Sequence, residues 1–242
     1  MKNKFWHWKN QAAADGETPT RVLEIYGSIA EESWFDDDIT PKMFRDELFA
    51  GKGDVIIWLN SPGGDCIAAS QIYTMLMDYP GHVTVKIDGL AASAASVIAV
   101  AGTRVLIAPT AMMMIHNPST AAFGNRQDME KIIAMLDEIK ESIINAYEIK
   151  TGLSHTQLSH MMDETTWMNA KKAVELGFAD AILEDEKNLC ADAAAYSFSA
   201  SSIERAILDK IGKREGGTAK QKTEPAGRSV DELQGRLNLL KY

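Results

Sequence analysis

The chain has 242 residues, with 25 Lys and Arg against 34 Asp and Glu, a net charge of −9. Its 45% apolar and 24% charged content excludes wholesale disorder, and the acidic balance argues against a nucleic-acid-binding surface. Two cysteines, Cys66 and Cys190, are too few for a disulfide framework or a four-ligand zinc site. Their scarcity fits a reducing compartment. The opening Met1-Lys-Asn-Lys-Phe-Trp-His-Trp8 has no apolar run behind its basic residues, so no signal peptide is read there. The longest apolar stretch, near Ala91 to Gly102, is too short to span a bilayer. The expectation is a soluble, cytoplasmic protein with no membrane or nucleic-acid partner.

Residues 1–19 show no period and read as a mobile arm. Val22-Leu-Glu-Ile-Tyr-Gly27 alternates like a strand and stops at a glycine. Thr40 as N-cap and Pro41 as first residue predict a helix start. Asp54–Asn60 is a strand closed by Ser61-Pro-Gly-Gly64, and a helix with Ile67 or Ala68, Ile72, Met75, Leu76 and Tyr79 on one face runs on to Pro80. Next come a strand over His82–Asp88, a small-residue helix over Ala92–Ala101, and strands over Arg104–Ile107 and Met112–Ile115. The longest helix is expected over Asn125–Lys150, with Met129, Ile132, Ile133, Leu136, Ile139, Ile143 and Ala146 as its stripe and Gly152 as its stop. Short helices near His155–Met162 and Ala170–Leu176 precede a last strand, Phe178–Leu183. Such alternation implies right-handed crossovers and an α/β architecture. From residue 187 onward ten basic and seven acidic residues reverse the charge to +3. That region reads as a short helix over Ser202–Ile211, a flexible linker, and an amphipathic end over Leu233–Leu240.

The sequence contains no phosphate-binding G-x-x-x-x-G-K-[ST], no G-x-G-x-x-G, no H-E-x-x-H and no C-x-x-C. No cofactor and no metal are therefore expected, and His155 and His160 read as ordinary histidines. Three constellations carry chemistry. In Asn60-Ser-Pro-Gly-Gly-Asp65 a strand gives way to a helix through two glycines, whose backbone can approach a bound group closely. The helix start beside it suits a developing negative charge. In Gly89-Leu-Ala-Ala-Ser93-Ala-Ala-Ser96, Ser93 is expected in the first turn of a helix of small residues, where a hydroxyl meets free backbone N–H groups. Ser96 is its one nearby rival. In Met112-Met-Met-Ile-His116-Asn-Pro118 a histidine ends a very apolar strand, 23 residues after Ser93, and so within plausible reach of it. The G-x-S-x-G elbow of α/β-hydrolases is absent.

Taken in order, NSPGG, GLAAS, MIHNP and the block Trp167-Met-Asn-Ala170…Ala173-Val-Glu-Leu-Gly177-Phe-Ala-Asp180 resemble the Clp-type serine peptidases, over residues 20–185. Ile29-Ala-Glu-Glu-Ser-Trp-Phe35, Asp163-Glu-Thr-Thr-Trp167 and the C-terminal extension resemble the phage and prophage branch, the head-maturation proteases. The resemblance implies a crotonase-like fold of stacked ββα units with a C-terminal helical extension. It divides the chain into an arm (1–19), a peptidase domain (20–186) and an extension (187–242). It makes Ser93 the nucleophile, His116 its base, and the N–H groups of Gly64 and Ala94 the oxyanion hole. Thr165 stands where the family's triad aspartate is expected, and Thr cannot balance an imidazolium. Asp163 is the expected acid, with Glu164 the alternative.

The resemblance further implies polypeptide substrates, scaffold or capsid proteins among them, and a ring-shaped homo-oligomer. A separate unfoldase or a portal or capsid partner would accompany it, in a host cytoplasm or an assembling prohead. A host-type Clp peptidase subunit and a catalytically weak capsid-assembly or scaffolding protein are the competing readings. An acyl-CoA enzyme of the crotonase type is disfavoured, since it needs no Ser93–His116 pair.

Overall fold

The computed structural model describes residues 4–10, 21–30 and 41–183. In chain order these form β1 (Trp6–Asn10), β2 (Arg21–Tyr26), α1 (Pro41–Phe49), β3 (Val55–Ser61), α2 (Cys66–Met77), β4 (Val83–Ala92) and α3 (Ala94–Val100). There follow β5 (Arg104–Ile107), β6 (Met112–Ile115), α4 (Arg126–Thr151), α5 (His155–Asp163), β7 (Thr166–Asn169), α6 (Ala170–Glu175) and β8 (Ala181–Ile182). The expected mixed α/β, Clp-type architecture is what these elements build. The expected helices over Ser202–Ile211 and Leu233–Leu240, and Thr40 as a cap, lie outside the described residues.

Strands β2, β3, β4, β5 and β8 lie side by side and parallel, with β1 antiparallel on the outer edge of β2. Branched residues with alternate burial (Val55, Ile57 and Leu59 inward, Ile56 and Trp58 half-exposed) give β3 one face for the core. Strand β4 is long enough to have two neighbours. Its first half pairs with β5, and its second half, Leu90–Ala92, runs parallel to Met112–Met114 of β6. This division matters most for function, because it sets the ends of β4 and β6 side by side. Strand β7 then pairs antiparallel with β6, Met114 opposite Trp167 and Ile115 opposite Thr166.

Helix α4 follows its sequence signals closely. Asn125 caps it reciprocally with Asp128, and Gly152 ends it at φ 69°. Only its C-terminal half is buried, through Ile143, Ile144, Ala146 and Tyr147; Ile133 and Met135, farther up the helix, are exposed. Among the described residues no helix is long and apolar enough to cross a membrane.

The expectation of an arm over residues 1–19 is corrected at its centre. Trp6–Asn10 is a strand, and Trp6 is 0% exposed. Its ring meets Phe44 edge-on at 5.3 Å, and its Nε1–H donates to Glu47 Oε2 at 2.8 Å, fixing α1 against the sheet edge. Trp6→Ala should therefore destabilise the fold by about 3–5 kcal/mol, as a buried aromatic truncation does. Urea unfolding at unchanged m-value would register it, whereas a loosely attached segment would lose less than about 1 kcal/mol.

Candidate active site

Ser93 stands between β4 and α3 rather than within the helix as the sequence suggested. It is the N-cap, at φ 54° and ψ −129°, and its side chain makes no capping bond. A non-glycine residue there carries roughly 1–3 kcal/mol of strain and persists only where its surroundings hold it. Its N–H donates to Met114 O at 2.9 Å, extending the β4–β6 ladder by one step, and its carbonyl accepts from the Ser96 N–H at 2.9 Å. The side chain is left aimed out of both elements.

His116 follows β6 directly, as Ser93 follows β4. Ser93 Oγ lies 2.7 Å from His116 Nε2. With the ring proton on Nδ1, the serine O–H donates to Nε2, which is the polarity a general base requires. Burial disfavours the charged ring and pulls the His116 pKa below its ordinary value. The imidazole is thus neutral, and ready to accept a proton, at physiological pH.

The two glycines of the Asn60–Asp65 turn are fixed by close approach. A Cβ on Gly63 (φ 97°) would come within 2.7 Å of both Ala92 O and Ser93 Cβ, and within 3.0 Å of Ala94 N. One on Gly64 (φ 152°) would sit 2.2 Å from Ile29 O. The turn is therefore pressed against the serine, with no room for a side chain. Among the described residues nothing accepts the Gly64 N–H, and the N–H of Ala94, first in α3, has no helical acceptor. The start of α2, by contrast, is not available to an incoming charge. Asp65 caps it with its own carboxylate, accepting from the Ala68 N–H at 2.8 Å. Any anion stabilisation here belongs to the backbone amides.

Asp163 is not brought to His116. Its carboxylate accepts from Lys140 Nζ at 2.6 Å and Asn117 Nδ2 at 2.8 Å, with the side chain 54% exposed. The Lys140 ammonium first, and then the Asn117 amide, hold its pKa below the usual carboxylate range. Glu164 faces His160 at 3.5 Å. Among the described residues no carboxylate is hydrogen-bonded to His116. The reason is the β6–β7 register, which continued by one step sets Thr165 opposite His116. Thr165 itself turns at φ 53°, carrying Asp163 and Glu164 away. Asp163 bonds instead to Asn117, the residue that follows His116 in the chain.

Ser96, the rival hydroxyl, is 0% exposed and bonded to Ser93 O and Tyr147 Oη, so it cannot meet a substrate. His155 pairs with Glu141 at 2.6 Å. Among the described residues no group of three or more His, Cys, Asp or Glu could hold a metal ion. Sequence reasoning passed over Asn117, Lys140 and Tyr147, whose polar ends gain meaning only from their partners. Gly63, quoted within its motif, was given no role of its own.

Residues 18–186 match the Clp protease family. The chain belongs to the Clp protease family. It is accordingly a serine-type peptidase, a hydrolase of peptide bonds. Relatives include the ATP-dependent Clp protease proteolytic subunit 2 of Thermobifida fusca, 29% identical over 154 residues (61% of this chain, 76% of that one). The ATP-dependent Clp protease proteolytic subunit of Porphyromonas gingivalis is 33% identical over 147 residues (60% and 66%). Subunit 1 of the same protease from Chlamydia abortus is 28% identical over 185 residues (70% and 96%). None of these names points to a phage maturation protease.

Three outcomes follow for this Clp-family site. A base whose pKa is lowered by burial, with no carboxylate against it, loses activity only as pH falls below the ordinary imidazole value of about 6.5. The acid limb of kcat/KM should lie there; a limb above that value would mean a carboxylate does touch the ring. Asp163→Asn should lower kcat by no more than about tenfold, the scale of an exposed charge interaction, rather than the roughly 10⁴-fold loss of a triad aspartate. Thr165→Asp, measured on the same peptide, should raise kcat.

Proposed function

We propose that the chain is a serine endopeptidase in which Ser93 is the nucleophile, His116 the general base, and the Gly64 and Ala94 amides the oxyanion hole. The observation that carries this reading is the 2.7 Å Ser93–His116 contact at a strained backbone position. On this reading the Ser93 proton passes to His116 Nε2 as Oγ bonds to the scissile carbonyl carbon. The negative charge on the carbonyl oxygen is taken up by the two amides, each donor being worth about 3–4 kcal/mol in a comparable hole. His116 returns its proton to the leaving amine as the C–N bond breaks, and water then hydrolyses the acyl-enzyme by the same path. Asp163 contributes by anchoring Asn117 beside the base rather than as a direct triad acid.

The peptidase unit spans residues 20–186 with β1 added to its edge, and residues 187–242 form an extension. The unit works as one subunit of a ring of identical copies, supplied with unfolded polypeptide by a separate ATP-driven unfoldase. The names of the relatives support the ATP-dependent partner. Exposed Ile133, Met135 and Ile149 on α4, and Phe123 before it, are apolar residues that neighbouring copies would cover. A second reading, cleavage of capsid or scaffold proteins in phage head maturation, draws on the Ile29–Phe35 and Asp163–Trp167 segments and the extension.

Hydrolysis of a short fluorogenic peptide should fall more than about 10³-fold in Ser93→Ala and His116→Ala alike, since members of one catalytic unit are not additive. Turnover by Ser93→Ala near the wild-type rate would end the peptidase assignment at this residue. Purified scaffold protein and unfolded casein, offered in parallel, separate the two physiological readings. Selective cutting of scaffold at discrete sites favours maturation, and indifferent degradation of both favours the unfoldase-fed subunit.

A further inference from the structure

The peptidase reading leaves one buried polar chain unused. Ser96 Oγ lies 2.5 Å from the carbonyl oxygen of Ser93 and 2.7 Å from the Tyr147 hydroxyl. A carbonyl can only accept, so the single Ser96 proton goes to Ser93 O, and Tyr147 must then be the donor to Ser96. The direction of the chain is fixed: Tyr147 to Ser96 to Ser93. Tyr147 is fully buried on α4, with its ring edge-on to Phe178 at 5.4 Å, so its hydroxyl is held by packing.

What this chain grips is the strained residue itself. The Ser93 carbonyl receives two donors from one residue, the Ser96 N–H and the Ser96 hydroxyl, while the Ser93 N–H is tied to Met114 O. Fixing the carbonyl restrains ψ, fixing the N–H restrains φ, and together they set the direction of Cβ, from which Oγ reaches His116. An α3 of alanines would supply the backbone donor alone. Resting on the assignment of Ser93 as nucleophile, we propose that Ser96 and Tyr147 are positioning residues, which hold the Ser93 backbone in its strained positive-φ conformation so that Oγ stays on His116. Neither touches substrate.

The test is to measure kcat, KM and thermal midpoint for Ser96→Ala, Tyr147→Phe and the double variant, on a short peptide, with wild type and Ser93→Ala in the same assay. Ser96→Ala leaves the Tyr147 hydroxyl buried without a partner, so it lowers the midpoint. The double variant removes both polar groups and should recover most of that stability. For positioning residues kcat falls roughly 10- to 100-fold in Ser96→Ala, the scale of a small displacement of a reacting group. It stays low in the double variant despite recovered stability, with KM little changed. Tyr147→Phe, which keeps the Ser96–Ser93 bond, loses less. If kcat returns with the midpoint in the double variant, the chain is merely structural and the proposal is overturned. It is overturned equally if Ser96→Ala keeps the wild-type kcat. Equal activity of wild type and Ser93→Ala would remove the nucleophile assignment itself, and with it this inference.

Discussion

The site depends on one backbone constraint, the strained conformation of Ser93, φ 54° with ψ −129°, at the junction of β4 and α3. An extended or helical residue there would carry the hydroxyl into the sheet or against the helix. At φ 54° it points instead past the end of β6, where His116 begins. The surrounding sequence is arranged to tolerate and hold this. Gly63 has no Cβ because Ser93 occupies that space, and Asn60 Oδ1 accepts the Leu90 N–H across the irregular end of the β3–β4 ladder. Helix α3 opens on two alanines, Ala94 and Ala95, and all seven of its residues are buried, so that α2 and the sheet close tightly around the serine.

Parallel pairing makes the same constraint productive. Because β4 and β6 run in one direction, their carboxyl ends coincide, and the residue after each strand lands beside the other. A one-residue change in that pairing would turn His116 to the opposite face. Antiparallel β7, which closes the far side of β6, decides what stands behind the histidine. Its register places a threonine there, and burial lowers the imidazole's pKa and keeps it ready to accept a proton. Asp163, at the end of α5, is bonded to Lys140 and Asn117, and among the described residues no carboxylate is hydrogen-bonded to the ring.

Much of this was legible beforehand because it rests on local pattern. The β5 and β6 runs, the Asn125 and Gly152 ends of α4, and the small-residue stretch after Asp88 announce their elements through composition and caps. The order of the motifs alone sets Ser93 and His116 within reach of each other. Strand β1 was missed because five residues with two tryptophans, a histidine and a lysine resemble an irregular arm, although Trp6 and Trp8 do alternate with His7 and Lys9. Strand β7 was missed for its brevity. Asp163 is the nearer expectation for the acid only if the chain stays extended through Thr165, and the positive φ of 53° there turns the chain instead. No local signal announced the Tyr147 contact, which joins residues 51 apart through a hydroxyl on an otherwise apolar face.

The central claim is that Ser93, activated by His116, is the nucleophile of the peptidase. The direct measurement is mapping the adduct formed by a fluorophosphonate probe, by peptide mass spectrometry, on the wild-type protein and on His116→Ala. The account predicts a single modified residue, Ser93, and near-complete loss of labelling without the imidazole. An adduct on another hydroxyl, or undiminished labelling of Ser93 in His116→Ala, would contradict it.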